Sequence, residues 1–185
     1  MFERFETCEF VIRKIEMSDV DSIFRNWAQE IDVARYTTWR IHSSKDETER
    51  YVESCIEGWG RENYTWTIED KASSKVVGSF AARENGHKID IGYLLAVNWW
   101  GKGVMTSIVT SFINDAFKID TIQRIGAVCD IENPASRRVM EKSGMIHEGI
   151  LSSWMVHPNM GQNARDCHCL GTTRQRHNKS LQQKT

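Results

Sequence analysis

The sequence predicts a single α/β domain with elements in the order β-α-α-β-β-β-α-β-α-β-β. Three observations predict it. The chain has 185 residues, enough for one well-buried domain and too few for two comfortable ones. Short, partly β-branched apolar runs intersperse with longer segments whose apolar residues recur every three or four positions, so strands and helices alternate. Residues 90–117, DIGYLLAVNWWGKGVMTSIVTSFINDAF, join one element of each kind through a hexapeptide with two glycines.

Glu9 to Ile15 alternates weakly and reads as the first strand. Ser18 is a candidate N-cap for a helix from about Asp19 to Ala28, since Val20, Ile23, Phe24 and Trp27 follow at helical spacing. Ile31 to Ile41 is irregular. Ser44 opens a second helix with Glu47 as its capping-box partner; Tyr51, Val52, Cys55, Ile56 and Trp59 form its stripe, and Gly58 and Gly60 stop it. Tyr64 to Ile68 and Val76 to Ala82 read as strands joined by the polar turn Asp70 to Lys75, and Asn85-Gly86 signals a hairpin into the next strand.

That strand, Ile91 to Val97, is apolar enough to be buried on both faces. After NWWGKG, residues Val104, Met105, Ile108, Val109, Phe112, Ile113, Ala116 and Phe117 predict an amphipathic helix. Arg124 to Cys129 is a short strand. Asn133-Pro134 then starts a third long helix, with Pro in its first position, Asn133 as cap and Gly144 at its end. Met145 to Leu151 and Ala164 to Thr172 complete the strands, connected through His157 to Asn163. From Arg174 the chain has four basic residues and no acidic ones, so residues 174–185 are expected to be a frayed tail following a domain of residues 1–173.

The net charge is −1, with 40% apolar and 26% charged residues. Such a balance gives no general attraction to polyanions, so no direct nucleic-acid partner and no membrane partner are expected. The N-terminal MFERFETCEFVIRK has charges throughout, unlike a signal peptide, and no window approaches a spanning length, which predicts a cytoplasmic location. Five cysteines without C-x-x-C spacing read as free thiols. Cys167 and Cys169 around His168 lack the usual zinc spacing, so no metal is expected. The six histidines show no partner spacing and read mostly as surface residues.

A strand, a glycine-bearing turn and a helix can cradle an anion. The first helical turn has backbone N–H groups without partners and positive partial charge from the macrodipole. Gly101 and Gly103 lack a Cβ, so they tolerate positive φ and a close approach by a phosphate. Each charge-assisted hydrogen bond then contributes about 1.5–3 kcal/mol. The spacing alone is equally compatible with a plain tight turn. It is neither G-x-G-x-x-G, because Thr106 holds the third position, nor a P-loop.

The hexapeptide resembles the acetyl-CoA signature of the GCN5-related N-acetyltransferase (GNAT) superfamily, Gln/Arg-x-x-Gly-x-Gly/Ala. Asn98 stands at the Gln/Arg position and Gly101 and Gly103 match. IGYLLAVNWWGKGVMT followed by IENPASRRVMEKSGM resembles more closely the branch that acetylates ribosomal-protein N-termini at alanine or serine. The resemblance spans roughly Glu9 to Thr173. It implies a single-domain GNAT fold, with a mixed, mostly antiparallel sheet flanked by helices. It also implies that residues 31–41 hold a loop and short helix beside the acceptor.

The resemblance further implies acetyl-CoA as co-substrate. Backbone groups of Leu95, Ala96 and Val97 would hold the pantetheine arm and polarise the acetyl carbonyl, while Trp99, Gly101, Lys102, Gly103 and Val104 would cradle the pyrophosphate. Lys102 reads also, and more simply, as a solvated turn lysine. Trp99 and Trp100 read also as core aromatics, Trp100 especially. Asn133 would bond the pantetheine. Where many members have a tyrosine acid this chain has Met140, and Ser136 would take over that role unless it only caps its own helix. Asp90, preceding IGY, is the candidate base or else a structural carboxylate. A second family carboxylate falls at Met155, and Glu148 is a poor substitute for it.

Attack of an amine on a thioester needs a free amine and a proton, or a hydrogen bond, for the leaving thiolate. The expected acceptor is a protein N-terminal α-amine. A small molecule such as a polyamine or aminoglycoside is the alternative, which Asp19, Asp21, Glu30 and Asp32 would serve. An acyl-CoA sensor without turnover is a reading of another class, and a dinucleotide oxidoreductase a remote one. The chain is expected to act as a monomer or homodimer.

Overall fold

The structure is a computed structural model and describes residues 1–61 and 63–183. Its strands are β1 (Arg4–Glu6), β2 (Phe10–Lys14), β3 (Asn63–Asp70), β4 (Lys75–Asn85), β5 (Lys88–Leu95), β6 (Arg124–Asp130), β7 (Ile146–Val156) and β8 (Ala164–Thr173). They form one sheet in the order β1-β2-β3-β4-β5-β6-β8-β7. Every neighbouring pair is antiparallel except β5 with β6, which is the mixed, mostly antiparallel α/β arrangement predicted. The helices are α1 (Val20–Ile23), α2 (Ile31–Ala34), α3 (Lys45–Gly58), α4 (Val104–Ala116), α5 (Pro134–Lys142) and α6 (Arg174–Gln182).

Two apolar layers flank the sheet. Ile108, Val109, Phe112 and Ile113 of α4, at the predicted three- and four-residue spacing, pack with Trp66, Phe80, Ile89, Ile125 and Met140. On the other face Val20, Ile23, Trp27 and Val52 of the first helices pack with Val76 and Leu94. Ile89, Ile91, Tyr93 and Leu95 share the α4 face by the two-residue period of a strand, leaving Asp90 and Leu94 on the other.

The helix expected from Ser18 begins differently. Glu16 and Asp19 form a capping box around a 3₁₀ turn, α1 follows, and a π turn covers Phe24–Ala28. Asp19 is 3% exposed and also receives two hydrogen bonds from Arg13, at 2.9 and 2.7 Å, tying the helix start to β2. Strand β1 and the short α2 add to the order read from the residues. The central strand stops at Leu95 instead of Val97, because Val97–Trp99 turn into a 3₁₀ helix.

The C-terminal segment is also more ordered than its composition suggests. Residues 174–182, expected to fray, form α6, capped by the Thr173 side chain on the Arg176 N–H. Arg174 reaches back to the chain beyond α4, donating to the carbonyls of Phe117 (2.5 Å), Ile119 and Ile122 (2.7 and 3.0 Å). It thereby adds charged donors to carbonyls of the turn that follows α4, of which Ile119 also accepts the Ile122 N–H at 3.0 Å. Arg174→Ala is expected to cost about 2 kcal/mol, each charged hydrogen bond contributing about 1.5–3 before solvent replaces part of the loss. A melting scan reads this as a fall of about 4–8 °C for a chain of this size.

Candidate active site

Strands β5 and β6 run parallel through Lys88 with Arg124, Ile89 with Ile125 and Asp90 with Gly126, and there the pairing ends. β5 continues to Leu95 and β6 to Asp130 without mutual pairing. The sheet therefore opens as a wedge between its fifth and sixth strands, with the glycine turn at one lip and the N-terminus of α5 at the other.

At the first lip Gly101 and Gly103 have φ of +73° and +79°, in the left-handed region, where a side chain is strained. A methyl added at either would project into open space, nothing lying within 4 Å. Gly103 is the N-cap of α4 and no side chain caps that end. An exposed backbone concavity at an uncapped helix start fits a phosphate. Lys102 lies over the Trp99 ring, 5.3 Å from its centroid, and Trp99 packs edge-on against Phe10. Trp100 is the reverse of the expected core aromatic. It is 47% exposed, and its indole N–H donates to the Leu95 carbonyl at 2.7 Å, a partner that makes the surface position favourable. From Gly103 an open groove of about 600 Å³ continues along α4, past Thr106 and Thr110 to Lys142.

Part of the backbone read as a ligand for pantetheine is committed inside the protein. The Ala96 N–H donates to the Val77 carbonyl at 2.8 Å, and the Ala96 and Val97 carbonyls accept from Trp99 and Trp100.

At the second lip Pro134 occupies the first turn of α5 and Asn133 caps it, its Oδ1 accepting the Ser136 N–H at 3.1 Å. Because Asn133 is the cap, the Ser136 hydroxyl is not. That hydroxyl lies 3.1 Å from the Tyr93 hydroxyl, and Cys129 of β6 adjoins it. Burial pushes the Cys129 thiol up to about 11, and it raises the Tyr93 phenol well above its ordinary range. Met140 is fully buried core.

Asp90 and Ser136 lie on opposite faces of the sheet. Asp90 Oδ1 and Arg124 Nη2 flank Gly126, each 3.5 Å from where its Cβ would stand. Arg124 in turn donates to Glu148 at 2.8 Å and holds that carboxyl below its ordinary range. Glu148 is thus a structural partner on the Asp90 face.

Above this face the segment around α2 docks onto the β7–β8 connection. The Asn159 amide donates to the carbonyls of Ala34 and Trp39, both at 2.8 Å, and the Tyr36 hydroxyl donates to the Glu132 carbonyl at 2.8 Å. His157, read as a surface residue, is 2% exposed, with Nδ1 3.2 Å from the Thr37 carbonyl and Nε2 3.5 Å from Asp130. Burial alone would raise the Asp130 carboxyl, but Arg165, donating at 2.6 and 3.2 Å, and the Glu132 N–H outweigh it and hold it low. Tyr93 and this Asp130 cluster were both missed at the level of sequence. The two-residue period through Ile91 and Leu95 is the signal that places Tyr93 on the α5 side.

Residues 9–146 match the family described as Acetyltransferase (GNAT) domain. The chain belongs to the GNAT family. It is an acetyl-CoA-dependent N-acetyltransferase. An uncharacterized N-acetyltransferase of Bacillus subtilis, YoaA, is 24% identical over 159 residues, 84% of this chain and 89% of that protein. The structure of a ribosomal-protein-S5-alanine acetyltransferase from Vibrio fischeri is similar with a TM-score of 0.78 and 22% identity, covering 92% of this chain and 96% of that one. A spermidine N-acetyltransferase from Vibrio cholerae, solved with CoA and spermine, is similar with a TM-score of 0.76 and 18% identity, covering 92% and 98%. At these identities the two solved structures establish the GNAT fold, and their acceptors remain their own.

Among the described residues no group of three or more His, Cys, Asp or Glu is placed to hold a metal, and no helix is long and apolar enough to cross a membrane.

Proposed function

We propose that this GNAT enzyme acetylates a protein N-terminal α-amine, as the ribosomal-protein branch does. The observation that carries the reading is the fate of the carboxylates a polycationic acceptor would need. Asp19 is buried against Arg13, and Asp21 pairs with Lys45 at 2.8 Å. Around α2 the remaining exposed carboxylates, Glu30 and Asp32, are matched in the chain by the exposed cations Arg35 and Arg40, which offset their charge. A peptide carries a single amine to the site and needs no such well.

In this reading Gly101, Lys102, Gly103 and Val104 bind the pyrophosphate, with Trp99 supporting the turn beneath Lys102. Leu95 to Val97 and the Asn133 amide border the pantetheine arm. Bound acetyl-CoA supplies the acetyl thioester. The Ser136 O–H donates a hydrogen bond to the sulfur that leaves. Asp90, on the opposite face, receives the acceptor ammonium's proton directly or through water. The N–C bond forms as the C–S bond breaks, and the proton given up by the amine balances the one gained by the thiol.

The test is thiol release from acetyl-CoA across peptides with N-terminal alanine or serine, spermidine and an aminoglycoside. Release with peptides alone supports the reading, and release with the polyamine or aminoglycoside alone overturns it. Ser136→Ala is expected to lower kcat about 100-fold with the acetyl-CoA KM within about twofold, the effect of removing one preorganised donor. Equal changes in both constants would assign the serine to binding instead.

A further inference from the structure

The wedge contains a second hydroxyl that the roles above do not use. Tyr93 projects from β5 on the α5 face, its ring packed against the main core. Its oxygen lies 3.1 Å from the Ser136 carbonyl oxygen and 3.1 Å from the Ser136 hydroxyl. Three protic side chains from three elements, Tyr93, Ser136 and Cys129, thus meet where the strands have parted.

We infer that Tyr93 is a positioning residue that sets the direction of the Ser136 proton. The inference rests on the role given to Ser136 under the proposed function. The two contacts at equal distance allow two hydrogen-bond arrangements. In one, the tyrosine O–H donates to the Ser136 carbonyl and its oxygen accepts the serine proton, which is then turned away from the wedge. In the other, the tyrosine O–H donates to the Ser136 hydroxyl oxygen, and the serine proton is released toward the sulfur. The phenol keeps its hydrogen bond in both, so the exchange is a rotation of two hydroxyls and no proton leaves Tyr93. As charge develops on sulfur the second arrangement gains and the first does not, which is selective stabilisation of the transition state.

The neighbouring groups agree with a donor that stays protonated. Burial disfavours the phenolate at Tyr93 and the thiolate at Cys129, so neither takes the serine proton permanently. Met140, on the same helix, is wholly buried and has no proton to give.

The test is a double-mutant cycle with Tyr93→Phe and Ser136→Ala, since phenylalanine keeps the packed ring and removes only the hydroxyl. Turnover is followed with the fastest acceptor of the panel above. Tyr93→Phe should lower kcat about 10-fold, the loss of one hydrogen bond, with the acetyl-CoA KM within about twofold. In the Ser136→Ala background the same change should leave kcat within about twofold, because a residue acting through another has nothing left to act on. An acceptor-free readout uses CoA and desulfo-CoA in calorimetric titrations. The wild-type preference for CoA over desulfo-CoA should fall in each single variant and no further in the double variant.

Multiplying effects in the double variant, or an equal loss of desulfo-CoA affinity in Tyr93→Phe, would overturn the inference while leaving the Ser136 assignment standing. Unchanged kcat and unchanged sulfur preference in Ser136→Ala would remove both.

Discussion

Replacing Gly103 by glutamate is expected to weaken acetyl-CoA binding by at least about 100-fold, the loss of two charge-assisted hydrogen bonds. Gly103 has φ of +79° at the uncapped start of α4. A glutamate there does two things. It strains the backbone by about 1–2 kcal/mol, the cost of a left-handed L-residue, and it brings a carboxylate to N–H groups that the phosphate needs. Because open space surrounds the position, the fold itself should persist, with melting lowered by about 2–8 °C. Gly103→Ala separates the two effects, since it carries the strain without the charge. Calorimetric titration with acetyl-CoA that finds Glu and Ala equally impaired would show that strain, and not competition for the cradle, governs binding.

Arg13→Ala is expected to destabilise the protein by about 3–5 kcal/mol. The reason is asymmetry. Asp19 is buried, and among the described residues it accepts, besides Arg13, the Glu16 N–H at 2.9 Å and the Thr67 hydroxyl at 3.3 Å, neither of which carries charge. Deleting the guanidinium leaves an ion in the interior, whereas replacing both partners with apolar residues of similar volume removes the penalty with the pair. Urea unfolding of Arg13→Ala against the double variant Arg13→Met/Asp19→Leu checks this. Equal midpoints for the two would mean that Asp19 is not held as a buried charge.

Features whose cause is local were readable from the residues. Glycines forced into positive φ leave a trace at Gly101 and Gly103, as does the cap and first-turn proline of Asn133-Pro134. The apolar period of α4 is read directly from Met105 to Phe117. What escaped depends on partners far along the chain. Tyr93 and Ser136 are 43 positions apart, and nothing in either segment announces the other. Trp100 looks like core until its indole N–H is seen on the Leu95 carbonyl. The segment after Thr173 has almost no apolar residues of its own, and it is anchored by an arginine reaching carbonyls 52–57 positions earlier. Asp19, read with Asp21, Glu30 and Asp32 as a carboxylate open to a polycationic acceptor, is buried with its counter-charge supplied by Arg13 of β2.

The parting of β5 and β6 has a mechanical side. Among the described residues, the sheet's first five strands and its last three are joined edge to edge only at the base of the wedge, from Lys88 to Asp90. The two halves are therefore held together by those three residue pairs and by the α4 core, whose Ile108, Phe112 and Ile113 pack with Ile89 of one half and Ile125 of the other. A ligand seated in the wedge would add contacts across the seam that the strands themselves leave open beyond Asp90.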